Sequence, residues 1–206
     1  MQPRDLLEWA RQVQAIAQNG LAFTHDPYDR ERYTQLTELV ALLLARELAI
    51  PAESARALWA GERGYATPKV DVRGGVFVDG RVLLVRERTD GRWTLPGGWA
   101  DVNDAPSEAV AREICEESGY RARPVKLAAL IDKNRHPHPA GVHHIYKLFF
   151  VCELTGGAAA TSAETDAVEF FPVQQLPPLS TGRVLPQQIE RLYQHSLDPA
   201  LPTDFD

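Results

Sequence analysis

Two cysteines and one methionine are all the sulfur in this chain of 206 residues. Cys115 and Cys152 stand too far apart for a Cys-x-x-Cys motif, which excludes a local thiol metal knuckle or dithiol redox pair and points to a reducing compartment. Positive charge is also short: 22 Lys and Arg stand against 28 Asp and Glu, a formal charge of −6. Gripping duplex nucleic acid by its phosphates needs a basic face, so no duplex nucleic acid partner is expected. Long apolar runs are missing too. The longest, Leu39 to Ala45, falls far short of the ~20 residues of a membrane helix. The first residues mix Arg4, Asp5 and Glu8 with apolar ones, unlike the head of a signal peptide. We therefore expect a cytoplasmic protein with no membrane partner.

What is present, 44% hydrophobic residues, supports a real core, and the length suits one ordinary domain plus a small helical one. From Arg4 to Asn19, Leu6, Ala10, Val13 and Ala17 recur at helical spacing, and Gly20 reads as a stop. Asp26-Pro27-Tyr28-Asp29 reads as a turn. Beyond it Tyr33, Leu36, Val40 and Leu43 mark a helix to Glu47 with apolar residues on more than one side. Pro51 breaks it, and Ala52 to Ala60 forms a third helix. This leader, residues 1–64, carries seven Arg and nine Asp or Glu and is no basic arm. It is too small to bury its apolar surface alone. Packing on its own chain and pairing or substrate covering both fit; we expect a homodimer through the N-terminal helices, with the Thr34 to Leu48 faces between two chains.

Residues 65–197 mix strands and helices. Lys69 to Val78 and Arg81 to Glu87 flank Asp79-Gly80, a hairpin signal. Trp93 to Leu95 leads into a glycine loop; Val125 to Ile131, Ile145 to Glu153 and Glu169 to Val173 read as further strands, Val184 to His195 as a closing helix, and 198–206 as a flexible tail.

The chemistry concentrates between Leu95 and Tyr120. On a helix from Ser107 to Ser118, Glu113, Glu116 and Glu117 fall within an arc of about 100°, with Val110, Ala111 and Ile114 outside it. Crowded carboxylates favour either full solvation or a bound divalent cation, and oxygen ligands suit Mg2+ or Mn2+. Before the helix, Gly97 and Gly98 clear space for a carbonyl or phosphate, Asp104 is the expected N-cap, and Pro106 suits a first turn.

Gly98, Asp104, Arg112-Glu113-Ile114, Glu116-Glu117 and Gly119-Tyr120, at these spacings, resemble a Nudix box. The sequence departs from it at Asp104, where the family has Glu, and at Tyr120, where an aliphatic residue is usual. The resemblance implies an α/β/α sandwich with a mixed sheet, preceded here by a small all-helical domain. It also implies hydrolysis of a nucleoside diphosphate linked to another moiety, with the Gly97 carbonyl, Glu113, Glu116 and Glu117 around the metal. Tyr65 to Asp71, Leu95 to Asp101 and the leader together resemble the branch that includes CDP-choline pyrophosphatases. A CDP-choline-like substrate is the first expectation and ADP-ribose or an ADP-sugar the second; a non-catalytic ligand-binding module is the alternative of another class.

Other groups complete the candidate site. Lys133, Arg135 and His136, in a long polar insertion, suit phosphate, and Tyr146 can stack a base. His136, His138, His143 and His144 also invite a zinc reading, weakened by Pro137 and Pro139. Glu164 is preferred over Glu169 as general base, with Glu113 or Glu116 behind them. Arg112 and Glu116, four apart, should orient each other. Cys115 is expected to pack rather than react.

Overall fold

The structure, a computed structural model, describes residues 3–206, with side chains from Leu6 onward. The expected domain start at residues 1 and 2 lies outside the described residues. Two compact units are found: residues up to Pro68 together with Ala140–His144, and Lys69–Pro139 with Ile145–Asp206.

In the first unit α1 (Pro3–Phe23), α2 (Pro27–Glu47) and α3 (Ala52–Ala57) surround a small core of Leu7, Ala10, Val40, Ala41, Leu44 and Ala55. Gly20 does not stop α1. A Cβ there would lie 2.4 Å from the Tyr33 ring, so that ring packs directly on Gly20 and the absent side chain serves packing. The expected turn at Asp26 is the start of α2, because the Asp26 carboxylate accepts from Tyr28 N–H and Asp29 N–H at 2.9 Å and Pro27 fits the first turn. Arg11 Nη1 donates to the Gly141 carbonyl at 2.6 Å, which ties the tip of the long insertion into this unit. Trp9, Ile16 and Phe23, seven apart on α1, and Leu39 and Leu42 on α2 remain exposed.

The second unit is built on a sheet of order β3-β2-β1-β5-β4-β7, with β6 on the other edge of β2. Its strands are β1 (Lys69–Val78), β2 (Arg81–Glu87), β3 (Trp93–Thr94), β4 (Tyr120–Asp132), β5 (Ile145–Gly157), β6 (Thr165–Pro172) and β7 (Asp204–Phe205). β1 and β5 run parallel, β4 and β5 antiparallel. One face carries α4 (Pro106–Ser118), whose Ala109, Val110 and Ile114 pack on Val72, Val76 and Phe150. The other carries α5 (Pro186–Leu197), whose Ile189 and Leu192 pack with Phe149, Val151 and Leu84. This is the α/β/α arrangement the resemblance implies.

β1 and β2 pair only near their hairpin, at Phe77↔Val82 and Val78↔Arg81. β6 lines β2 from Arg81 to Glu87, β3 joins β2 at Val85 and Arg86, and Pro96–Ala100 runs along the vacated edge of β1. The N–H groups of Val72 and Gly74 donate to the carbonyls of Gly98 and Pro96 at 2.9 and 3.0 Å, and Ala100 N–H to Val70. The segment 198–206, expected loose, is instead tied down. β7 pairs with β4, the Asp204 carboxylate takes Arg191 at 2.6 and 2.8 Å, and Thr203 Oγ1 donates to the Leu127 carbonyl. No helix among the described residues is long and apolar enough to cross a membrane.

Candidate active site

The glycine loop and α4 meet at one bond: Gly97 N–H donates to Glu117 Oε2 at 2.9 Å. Gly97 has φ 143°, and a Cβ there would stand 2.0 Å from the Val72 carbonyl oxygen, so backbone freedom and bare space are both required. A Cβ on Gly98 would lie 3.1 Å from Glu113 Oε2, so any side chain there would fill the space this carboxylate faces.

Arg112 gathers the rest of the acidic face. Its Nη1 donates to Glu113 at 2.8 Å and Glu116 at 3.0 Å, and its Nη2 approaches Asp101 and Asp104 at 3.3 Å. Arg112 and Glu116, four residues apart, are thus in contact. Asp104 does not cap α4. Ala105 occupies that position without a side-chain bond, Glu108 reaches back to Ala105 N–H at 3.2 Å, and the Asp104 carboxylate is engaged by the guanidinium.

Burial sets the electrostatics. Glu117 is only 5% exposed, because the glycine loop and the start of β6 cover it. Desolvation pushes its carboxyl up to about 7 against the opposing pull of Arg73 and the Gly97 N–H. Glu113 is raised by the same cause, with Arg112 opposing. Cys115 is exposed rather than packed, whereas Cys152 is buried and its thiol pushed up to about 12.

Among the described residues no three His, Cys, Asp or Glu side chains converge on one point. Glu113 and Glu116 lean to Arg112, and Glu117 to Gly97. The donor chemistry nonetheless fits a hard divalent ion: three carboxylates on one helical face, a neighbouring loop free of side chains, and a carbonyl at Gly97 between two others already used by β1.

The remaining candidates fall into separate places. Glu164 is exposed; its N–H donates to Ser162 Oγ, its carbonyl accepts Arg88 N–H, and it lies within electrostatic reach of Glu87. The adjacent Thr165 hydroxyl donates to the Glu117 carbonyl at 2.7 Å, so this turn is fastened to the end of α4. Glu169 pairs with Leu84 inside β6, four residues farther along. Lys133 and Arg135 form a single 3₁₀ turn capped by Asp132, whose Oδ1 accepts Asn134 N–H. Lys133 lies within electrostatic reach of Lys147 and His138. His136 meets the Asp206 carboxylate at 3.0 Å, and Tyr146 on β5 is partly exposed. The histidines do not assemble as a zinc site: His138 is buried between the Thr181 carbonyl and Gln188, which makes Nδ1 the protonated nitrogen, and burial pushes it down to about 4.

Four buried charges went unread in the sequence: Asp71, Arg73, Lys147 and Glu87. A signal was available, since Asp71, Arg73 and Lys147 are charges at alternating positions inside strongly apolar strands, where an inward direction is forced. Glu87 ends β2, pairs with Arg183 at 3.0 Å and is raised by desolvation, with Glu117 within its electrostatic reach.

Comparisons with known proteins agree with this geometry. Residues 68–192 match the NUDIX domain, and residues 4–59 match a domain described as UDP-X-like, N-terminal oligomerisation. A Bacillus subtilis (strain 168) protein, YjhB, whose name assigns it provisionally as an ADP-ribose pyrophosphatase, is 46% identical over 97% of this chain and 96% of its own. The crystal structure of a UDP-X diphosphatase is 33% identical, covers 100% of both chains and superposes with a TM-score of 0.64. That of an ADP-ribose pyrophosphatase from Streptococcus suis 89-1591 is 36% identical over 68% of this chain and 100% of its own, with a TM-score of 0.63.

Proposed function

The chain belongs to the Nudix hydrolase family and is a diphosphatase of nucleoside diphosphate-linked compounds, and from that premise we propose how its residues divide the work and which substrate it prefers. Hydrolases of this family use divalent metal ions. Glu113, Glu116, Glu117 and the Gly97 carbonyl hold the ion, Mg2+ or Mn2+; the observation that carries this is the Gly97–Glu117 bond, which sets loop and helix donors side by side. A bound ion supplies charge neutralisation of the diphosphate and a more acidic water. Arg112 keeps Glu113 and Glu116 in place through its two Nη1 contacts. The Glu164 carboxylate takes the proton of the attacking water, a role supported by the fastening of its turn to α4. Lys133 and Arg135 meet the phosphates, His136 supports that loop, and Tyr146 offers a face to the base.

For the substrate we favour ADP-ribose or a related nucleotide sugar over CDP-choline. A choline ammonium calls for a carboxylate and an aromatic face. Asp132, the register partner of Tyr146 across β4 and β5, already caps its own 3₁₀ turn. The adjacent cations suit phosphate and hydroxyl groups better. CDP-choline remains the second reading, supported by partly exposed Tyr146. Measuring kcat/KM for both at equal free magnesium tests this: about tenfold in favour of CDP-choline, roughly 1.4 kcal/mol of transition-state preference, overturns our order.

We also assign the enzyme to the cytoplasm, consistent with its two unpaired cysteines. The N-terminal helices form a homodimer, supported by the exposed stripe Trp9, Ile16 and Phe23 and by the oligomerisation domain matched there.

A further inference from the structure

Behind the glycine loop lies a set of charges the chemistry above does not use. Arg73 is 4% exposed, Asp71 6% and Lys147 1%. Arg73 Nε and Nη2 donate to the two Asp71 oxygens at 2.9 and 3.1 Å, and Lys147 Nζ stands 2.9 Å from Asp71 Oδ1. Burying two cations and one anion is weak evidence for stability, since apolar residues of similar volume often serve as well. What the group holds is more informative. The third guanidinium nitrogen, Nη1, donates to the Leu95 carbonyl at 3.1 Å, and the backbone neighbours of Arg73 take the carbonyls of Pro96 and Gly98. Gly97 sits against Arg73 itself, its virtual Cβ 3.0 Å from the Arg73 Cα. The carbonyls of residues 95, 96 and 98 are thus anchored around one residue, and the Gly97 peptide between them meets Glu117.

We propose that Arg73, braced by Asp71 and Lys147, is a positioning residue: its fork fixes the Leu95–Gly98 loop and thereby the affinity of the loop and helix junction for its divalent ion. The proposal rests on the metal assignment made above. Only arginine presents donors in a planar fork that grips a carboxylate with two nitrogens and a carbonyl with a third; lysine keeps the charge and loses that geometry.

The test is titration of the full chain with manganese alone, reading free Mn2+ by electron paramagnetic resonance, with near-ultraviolet circular dichroism reporting the fold. Arg73→Met and Arg73→Lys are expected to weaken Mn2+ binding about tenfold or more, the scale of losing a group that orients metal ligands. At saturating metal, KM for the nucleotide should stay within about twofold while kcat falls. Phe149→Leu, a core change beside Lys147, should leave Mn2+ affinity at the wild-type value. Arg73→Lys decides the matter where Arg73→Met does not fold. Wild-type Mn2+ affinity in Arg73→Lys, or an equal loss in Phe149→Leu, overturns the proposal. Glu117→Gln separates the two layers. Unchanged affinity in Glu117→Gln removes the metal assignment and the proposal with it. Lost affinity there alongside wild-type affinity in both Arg73 variants overturns the positioning role alone.

Discussion

Glu117 and Gly97, twenty residues apart, are joined by a single hydrogen bond of 2.9 Å from the Gly97 N–H to Glu117 Oε2. The bond makes the loop and the helix one structural object. It also places a carboxylate where burial opposes its charge, so Glu117 ionises at neutral pH only with help from Arg73, the peptide N–H or a cation.

Glu117→Gln should lose at least about 10²-fold in kcat, because it removes a metal-binding charge. The same change should raise the melting temperature of metal-free protein at pH 8. The folded-state value of Glu117, about 7, lies above its ordinary 4.5, so ionisation destabilises the fold progressively as pH rises between them. Removing that cost is worth on the order of 1–3 kcal/mol. Near-normal turnover at saturating magnesium would take Glu117 out of the metal site.

Metal affinity should depend on pH through the same group. Below about 7 a proton competes with the ion for Glu117, so Mn2+ affinity should fall by up to about tenfold per pH unit on going down to pH 5.5. Calorimetric titration at a series of pH values checks this, and a flat profile contradicts it.

Acid stability should report His138. Its folded-state value, about 4, lies below the ordinary 6.5, so between these limits the unfolded chain binds the extra proton and stability falls as pH drops. Over the full window the loss is on the order of 3 kcal/mol. Urea unfolding at pH 7 and pH 4.5 should differ more for the wild type than for His138→Gln.

The leader predicts a dimer. Ultracentrifugation of the full chain should give twice 22.9 kDa, and Trp9→Glu with Ile16→Glu should give the monomer, since charges on an apolar seam oppose its burial. A monodisperse, active wild-type monomer would end the dimer assignment.

Much of this enzyme could be read without coordinates. Glu113, Glu116 and Glu117 share a helical face because α-helical spacing is local, and the hairpin at Asp79-Gly80 follows from two residues that tolerate positive φ. The strands Lys69–Val78 and Arg81–Glu87 were legible from their β-rich composition. Misread places share a cause. Gly20 looks like a stop until Tyr33 is seen against it, Asp104 looks like a cap until Arg112 reaches it from two turns on, and the closing residues look loose until β7 finds β4. Helical spacing places Glu117 beside Val110 and Ile114, but its cover, a loop twenty residues earlier and a strand that starts 48 residues later, is beyond local pattern. Helix faces and turns follow from neighbours along the chain; burial, charge state and the pairing of Arg73 with the loop depend on neighbours across the fold, and only packing brings those together.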